Sequence, residues 1–375
     1  MKIAYVVHGT SEKFDGVSRK IINTVLCWNQ LGIESKLFII ANKKNKIPPE
    51  LLKNQFVQII RYNNFIQYYY SDFWLKDLEI WKPDAIYVRG FTLYYSRAFR
   101  RLRGKLGCVI VNEINTNDVV EVKNQFKTYM KKLDLNGVRW TSFYLLTRNL
   151  WFKYIDGCVL LNNELRKIIP ESIPHIVIGD GINLEDYPVY GRRNNETKKF
   201  NVVFMGTNDH PWYGLDKIIY MARFMREFNF HFIGIGREII EKYGSVPPNI
   251  KCYGFLERSE YERILKKMDV AIGSLSLHIN EMSEGSPLKV REYLAYGLPV
   301  IIGFKDTDFF DSTPPFILEL PSSSDNVIKN MNKIKNFIKE SKKLSINRAD
   351  IAHLDYKIKE KTRIKFIENL LELES

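Results

Sequence analysis

The chain has 375 residues, 45% of them hydrophobic and 26% charged, which is typical of a folded protein and is long enough for two domains. Its net charge is +13, and the excess of basic residues is greater in residues 1–190 than in the rest. Such a charge favours an anionic partner such as a membrane surface, a phosphorylated lipid or nucleic acid. The four cysteines are widely spaced and no apolar run is long enough to span a bilayer, so neither a disulfide framework nor a membrane helix is indicated and a cytoplasmic location is expected.

The first half predicts a parallel sheet, because short apolar runs alternate with helical patterns. Ile3–Val7 leads through a loop ending at Gly16 into a predicted helix over Val17–Leu31. The other predicted strands are Lys36–Ala41, Ala85–Val88, Cys108–Asn112, Gly157–Leu161 and His175–Ile178. The loop lacks the G-x-G-x-x-G fingerprint of a dinucleotide site. Gly16 fits either a close approach of the backbone to a ligand or a simple turn.

A polar stretch at Tyr190–Lys199 predicts a linker, after which the alternation starts again. The predicted strands of the second half are Asn201–Met205, Phe230–Ile235, Ile250–Phe255, Val270–Leu275 and Pro299–Phe304. The predicted helices are Leu215–Phe228, Ser259–Met268, one with Val327, Met331, Ile334 and Ile338 on a single face, and Tyr356–Leu373. Two sheets of similar design are therefore expected, one on each side of the linker.

The stretch from Glu281 to Ile302 predicts a loop, a short helix and a buried strand. We expect the Ser286 hydroxyl to cap the helix and Pro287 to take its first position. Gly297 suits a left-handed helix end. The helix start would present free N–H groups, and Lys289 adds a full positive charge in the first turn. This arrangement favours the binding of a phosphate or diphosphate.

Two glutamates lie beside this helix start, Glu284 before it and Glu292 within the helix. Carboxylates next to an anion site can accept hydrogen bonds from sugar hydroxyls, so the combination favours a sugar nucleotide. The alternative is a solvated helix face, because Lys289 and Glu292 are spaced as an i,i+3 ion pair.

The second half resembles the retaining sugar-nucleotide glycosyltransferases of glycosyltransferase family four, and in particular those that build bacterial capsule and lipopolysaccharide chains. The hallmark of that family, two glutamates separated by seven residues, matches Glu284–Glu292, and its continuation matches Tyr293–Ile301. Val177–Asn183 resembles the hinge before the second domain, and Asn201–Gly206 with Trp212–Lys217 resembles that domain's opening.

This resemblance implies a GT-B fold, in which two Rossmann-like α/β domains face a cleft. We expect an acceptor-binding domain over 1–190, a nucleotide-sugar-binding domain over 191–355, and a C-terminal helix over 356–375 that returns to the first domain. The implied activity is sugar transfer from a nucleoside diphosphate sugar to a glycan, with retention and without a cofactor or bound metal.

The resemblance also implies roles for individual residues. Glu292 would bind the donor ribose, Glu284 would face the donor sugar, and Lys289 would neutralise the leaving group. Gly16 would approach the donor from the first domain. The remaining implied donor contacts are Phe255 and Leu256 at a strand end, and Gly285, Ser286, Pro287 and Leu288 around the helix start.

Three positions depart from the family pattern. Thr207 and Tyr213 stand where many relatives carry an Arg and a Lys that touch the diphosphate, so both are candidate donor contacts and the role of Lys289 is expected to be larger. Glu113 follows a strand close to where relatives have a His. It is a candidate catalytic group, and the alternative is a solvated or capping carboxylate.

A basic segment, Arg97–Lys105, contains Phe99 and Leu102 and precedes an aromatic stretch over 119–154. Together they predict a peripheral contact with anionic lipid at the inner membrane face, where a lipid-linked acceptor would be found. A solvated basic helix is the alternative. Rival functions are a sugar-nucleotide epimerase of the same architecture, a non-catalytic nucleotide- or glycan-binding scaffold, and, less favoured, a nucleic-acid-binding protein.

Overall fold

The computed structural model describes residues 1–10, 12, 14–70, 73–90, 98–189, 199–207 and 209–374. The chain divides into two compact units. Unit 1 comprises residues 1–178 and the C-terminal helix, and unit 2 comprises residues 179–355. The division at Ile178 and Gly179 comes earlier in the chain than the predicted boundary at 190 and 191. Most of the predicted linker, residues 190–198, lies outside the described residues.

Unit 1 contains a seven-stranded parallel sheet within its described residues. Its strands are β1 (Lys2–His8), β2 (Glu34–Asn42), β3 (Val57–Tyr62), β4 (Ala85–Arg89), β5 (Val109–Ile114), β6 (Gly157–Leu160) and β7 (His175–Val177). Their order across the sheet is β3-β2-β1-β4-β5-β6-β7. The apolar run from Ile3 to Val7 is buried, as a strand covered on both faces requires. The predicted strands are confirmed, whereas β3 was not predicted.

Helices lie between these strands. They are α1 (Gly16–Gln30), α2 (Pro49–Leu52), α3 (Phe65–Tyr70), α4 (Leu75–Trp81), α5 (Ala98–Leu106), α6 (Asp118–Lys131) and α7 (Leu135–Trp151). Helix α1 confirms the prediction and begins after Asp15, whose side chain accepts a hydrogen bond from the Ser18 N–H. The helical stretch predicted over 119–154 is two helices, because the chain turns at Leu133, which has a left-handed φ of 55°.

The prediction that the basic segment Arg97–Lys105 forms an interfacial surface is wrong for the apolar residues of that segment. Phe99 and Leu102 are both 1% exposed and lie in the core of unit 1. Among the cations, Arg103 pairs with Asp156, and Lys105 lies 3.0 Å from a carboxylate oxygen of Glu79. The apolar face of α5 therefore covers the sheet. Arg97 lies outside the described residues.

Unit 2 contains a six-stranded parallel sheet and a separate two-stranded one. The strands are β8 (Asn201–Met205), β9 (Asn229–Ile233), β10 (Ile250–Cys252), β11 (Val270–Ile272), β12 (Glu284–Gly285), β13 (Val300–Ile302), β14 (Lys305–Asp306) and β15 (Ile317–Glu319). The larger sheet has the order β10-β9-β8-β11-β13-β15, and β12 pairs with β14. The predicted strands are confirmed, but β10 ends at Cys252, so Phe255 lies in the loop beyond it. Strand β15 was not predicted.

The helices of unit 2 cover the larger sheet. They are α8 (Leu215–Phe224), α9 (Arg237–Glu241), α10 (Arg258–Leu265), α11 (Leu288–Ala295), α12 (Asn326–Lys329) and α13 (Met331–Glu340). Helix α8 ends four residues before its predicted end at Phe228, because Met225 leaves the helical conformation, with φ −119° and ψ 61°. The single helix predicted through Val327 and Ile338 is α12 and α13, separated at Asn330.

The last helix, α14 (Tyr356–Glu374), belongs to unit 1. It packs against α1, where the Trp28 indole N–H donates to a carboxylate oxygen of Glu360 at 2.7 Å. The Tyr356 hydroxyl donates to the carbonyl oxygen of Lys20 at 2.7 Å. Among the described residues, no helix is both long and apolar enough to cross a membrane.

Candidate functional site

Helix α11 begins without a side-chain cap. Pro287 is the N-cap residue and Leu288 the first helical residue, so the predicted capping role of Ser286 and the predicted first position of Pro287 are both wrong. The Ser286 hydroxyl is fully buried and accepts hydrogen bonds from the Asp180 N–H and from Arg291, both at 2.7 Å. The same hydroxyl donates to a carboxylate oxygen of Asp308 at 3.2 Å, so its hydrogen bonds are made with these three residues and not with a first-turn N–H. At the helix end, Gly297 has the expected left-handed φ, 78°.

Arg291 is a buried cation whose charge is fully compensated. Its guanidinium donates to both carboxylate oxygens of Asp306 at 2.7 Å and to Asp308 at 2.8 Å. Burial alone would lower the pKa of Arg291, but the Asp306 and Asp308 carboxylates raise it above its usual range. The Nε–H also donates to the carbonyl oxygen of Asp180. Arg291 therefore holds α11 against two loops of unit 2.

Lys289 is a buried cation of a different kind. Its Nζ lies 3.6 Å from the ring centroid of Tyr213 and 4.3 Å from that of Phe204. The residue as a whole is half-buried, but the ammonium nitrogen is buried and has no hydrogen-bond partner among the described residues. Burial lowers the pKa of Lys289 well below its ordinary value. The cation–π contacts are its principal compensation.

Aromatic residues surround this lysine. The imidazole of His210 stacks on Trp212 with ring centroids 4.4 Å apart and meets the Tyr213 ring edge-on at 5.2 Å. Burial lowers the pKa of His210, and the charge of Lys289 lowers it further. A Cβ at Gly206 would lie 2.8 Å from the Phe204 ring and 2.9 Å from that of Tyr213. A glycine at 206 is therefore what lets these rings come together beneath the lysine.

The carboxyl ends of three strands lie close together next to this cluster. A Cβ at Gly234, after β9, would lie 1.9 Å from the carbonyl oxygen of Gly206, which follows β8. The Gly234 N–H donates to the carbonyl oxygen of Gly254, beyond β10, at 2.6 Å. Phe255 is next in the chain and is half exposed, whereas Leu256 packs partly into the core. Ligands of parallel α/β sheets bind at such strand ends.

The two motif glutamates occupy different settings. Glu284 is half-buried in β12, opposite Lys305 of β14. Glu292 is half-buried and accepts a hydrogen bond from the Tyr261 hydroxyl at 2.7 Å. The alternative of a solvated ion pair between Lys289 and Glu292 is wrong, because the lysine nitrogen is buried against the aromatic rings.

Of the remaining predicted site residues, Thr207 is exposed just after β8, whereas Gly16 and Glu113 lie in unit 1. Gly16 is exposed as the first residue of α1. Glu113 is neither solvated nor capping, because it is 5% exposed and accepts from Lys20 at 2.6 Å and from the Tyr5 hydroxyl at 2.8 Å. Burial would raise the pKa of Glu113, but the charges of Lys20 and Arg89 hold it well below its usual range. These contacts favour a structural role.

Sequence reasoning missed several residues that build the site of unit 2. In the sequence, Phe204 carries only the signal of a strand, and Arg291 only that of the motif spacing. The Tyr293 hydroxyl accepts a hydrogen bond from the Met205 N–H at 2.7 Å and so joins α11 to the end of β8. Asp306 and Asp308 carry a weak signal, since acidic residues two apart after a buried strand could have been marked as partners of a cation.

Two units built on parallel α/β sheets, with a basic helix start beside the strand ends of the second, define the GT-B class of fold. Solved glycosyltransferase structures share this fold along the whole chain. The lipopolysaccharide outer core galactosyltransferase WaaB has a TM-score of 0.67 and 14% identity, and the match covers 98% of this chain and 99% of that one. Sucrose-phosphate synthase from Thermosynechococcus elongatus has a TM-score of 0.71 and 11% identity, covering 100% of both chains.

A third similar structure is the Anabaena protein HepE in complex with UDP and glucose, with a TM-score of 0.63 and 11% identity over 98% of this chain and 100% of that one. No protein-family model matches the chain. No curated protein sequence matches it either. The likeness is therefore one of fold.

Proposed function

We propose that this protein transfers a hexose-type sugar from a nucleoside diphosphate sugar to a glycan acceptor. The observation that carries the proposal is the Lys289 ammonium, which is buried at the start of α11 with no hydrogen-bond partner among the described residues. A buried ammonium without a partner is costly, which is why burial lowers the pKa of Lys289, and a diphosphate would supply the negative charge that favours the protonated lysine. Rotation of its flexible side chain from the Tyr213 ring would bring the ammonium to the phosphate oxygens.

The first-turn N–H groups of Leu288 and Lys289 would add donors for the same phosphates, because such groups have no partner within a helix. Glu292 would accept hydrogen bonds from the ribose and Glu284 from the donor sugar. Gly16 would approach the donor from unit 1. The electrostatic stabilisation of the leaving nucleoside diphosphate would then come from α11 and Lys289, without a metal.

We infer retention at the anomeric carbon from the motif Glu284–Glu292 and its continuation. The acceptor we propose is a lipid-linked glycan of surface polysaccharide synthesis, at the cytoplasmic face of a membrane. Two observations support this acceptor: the excess of basic residues in the first half of the chain, and a fold shared with the lipopolysaccharide galactosyltransferase WaaB.

A combined thermal-shift and turnover screen against UDP-, GDP- and dTDP-sugars tests the proposal. We expect one nucleotide class to raise the melting temperature and its sugar to be consumed only when an acceptor is present. Glu292→Ala should abolish the shift. Lys289→Met should reduce the shift, and Lys342→Met is its matched control, because Lys342 lies 4.8 Å from the ring centroid of Phe200, away from α11. The proposal fails if no nucleotide stabilises the protein. Acceptor-independent conversion of the donor would instead indicate an epimerase, and binding without turnover a scaffold.

A further inference from the structure

The helical hairpin of α6 and α7 in unit 1 exposes large apolar side chains. Leu133 in the turn is 83% exposed, and Leu135, Leu146 and Leu150 of α7 are 74%, 81% and 59% exposed. Met130, just before the turn, is 51% exposed. The three leucines of α7 follow a spacing that places them on one helix face. The solvent-exposed face of a surface helix is normally polar, so an apolar face at this position requires an explanation.

Cations accompany these side chains. Lys131 and Lys132 are exposed in the turn, and Arg139 is exposed on the same face of α7 as the leucines. Lys123 and Lys127 are exposed along α6. We call these five cations and the five apolar side chains the hairpin surface.

Acidic residues offset only a small part of this charge. Of the three in the hairpin, Asp118 is buried and paired with Arg148, and Glu121 is half-buried and accepts from Thr116. The third, Asp134, caps α7 by accepting from the Gly137 N–H and is exposed, so one exposed carboxylate stands against the five exposed cations. The hairpin surface is therefore both basic and apolar.

The opposite side of the hairpin packs against the core of unit 1. Tyr144 is 1% exposed in the core of unit 1, and Trp140, Phe143 and Trp151 pack against that core. The aromatic rings are thus committed to the fold and are not stacking platforms for nucleic-acid bases. Leu133 holds its side chain outward from a left-handed backbone, φ 55°, a conformation that costs free energy for a leucine.

We propose that the hairpin surface docks on a membrane that contains anionic lipid. The leucines would enter the headgroup region, and the lysines and Arg139 would contact the lipid phosphates. This docking goes beyond the proposed sugar transfer, because it requires neither the donor nor any residue of unit 2.

Sedimentation of the full-length protein with lipid vesicles tests this inference. We expect binding to phosphatidylcholine vesicles that contain phosphatidylglycerol, and little binding to phosphatidylcholine alone. Lys131→Gln with Lys132→Gln should weaken binding about tenfold or more, since each cation near the surface contributes to it. Leu133→Asn with Leu146→Ser should weaken it to a similar extent. Asparagine tolerates a left-handed backbone, so that variant should fold.

Matched controls are Lys333→Gln with Lys339→Gln, exposed lysines of α13, and Ile80→Ser, whose side chain is 80% exposed on α4. Both should bind vesicles like the wild type. An equal loss in the controls, or no binding to anionic vesicles, would overturn the inference. A dimer that the leucine variant disrupts, in a protein that ignores vesicles, would instead identify a second copy as the occupant. Nucleotide-induced stabilisation of the same samples reports on the proposed function separately.

Discussion

Two buried cations lie two residues apart on helix α11 and differ in how their charge is met. Arg291 is 0% exposed and contacts two carboxylates and the Ser286 hydroxyl. Lys289 has only aromatic rings beneath it and no hydrogen-bond partner among the described residues. Successive positions of a helix face different environments, so one short segment can serve both stability and binding. A compensated cation stabilises the fold, and an uncompensated one is suited to an external anion.

Removing Arg291 should have the largest effect. Arg291→Met leaves Asp306 and Asp308 buried without their cation, and breaking a buried pair in this way typically costs about 3–5 kcal/mol. Urea denaturation of the variant should show that loss. Exposed Arg237, which pairs with Glu241 on α9, provides the control, because Arg237→Met should cost less than about 1 kcal/mol. Similar losses in the two variants would contradict the role given to Arg291.

Lys289→Met should change stability in the opposite direction. The methionine side chain fills similar space against the Tyr213 and Phe204 rings without an ammonium group to desolvate. We expect the free energy of unfolding to rise by about 1–3 kcal/mol, the usual cost of a buried unpaired polar group. Differential scanning calorimetry and urea denaturation measure it. Destabilisation of the variant would show that the cation–π contacts outweigh desolvation.

The stability difference between the wild type and Lys289→Met should also depend on pH. Burial lowers the folded-state pKa of Lys289 well below 10.5, the ordinary value for a lysine. At pH values between the folded and unfolded pKa, the unfolded chain binds more protons at this residue, so its contribution to stability rises with pH. The deficit of the wild type relative to Lys289→Met should shrink by about 1.4 kcal/mol per pH unit in this window. Denaturation of both proteins across that range measures the deficit, which stays constant if Lys289 is charged in the folded protein.

Glu292, on the same helix, is a half-buried charged residue with a hydrogen bond from Tyr261, and removing that hydrogen bond should have the smallest effect on stability. Tyr261→Phe removes the hydroxyl that donates to this half-buried carboxylate. We expect a loss of about 0.5–1.5 kcal/mol, the usual net value of such a hydrogen bond. Urea denaturation provides the measurement. The control is Tyr220→Phe on α8, outside the site. An equal loss of stability in this control would show that the Tyr261–Glu292 hydrogen bond makes no specific contribution.

Much of the fold was predictable, because buried parallel strands are continuous apolar runs separated by helical patterns. The two missed strands carry weaker signals. Val57–Tyr62 mixes polar and apolar residues and is mostly half-buried, and Ile317–Glu319 has only three residues after two prolines. The turn between α6 and α7 contains neither glycine nor proline, so its left-handed residue, Leu133, gave no signal.

For the candidate site, the sequence predicts the helix start but not the contacts of its side chains. Spacing located Lys289 at a helix start, yet its burial depends on Phe204 and Tyr213, which lie far from it in the sequence. Ser286 matched the pattern of a capping residue, but Arg291 and the Asp180 N–H engage its hydroxyl instead. Competition among partners that are distant in sequence cannot be deduced from local spacing.

Calorimetric titration with the nucleoside diphosphate that stabilises the protein tests the central claim most directly, with wild type and Lys289→Met in buffers of different ionisation enthalpy. Anion binding should recharge the lysine, so the wild type should take up a proton on binding at pH values between its lowered pKa in the free protein and 10.5. Lys289→Met should bind at least about tenfold more weakly and take up none. Equal affinities without proton uptake in either protein would contradict the assignment of Lys289 as the diphosphate-binding cation.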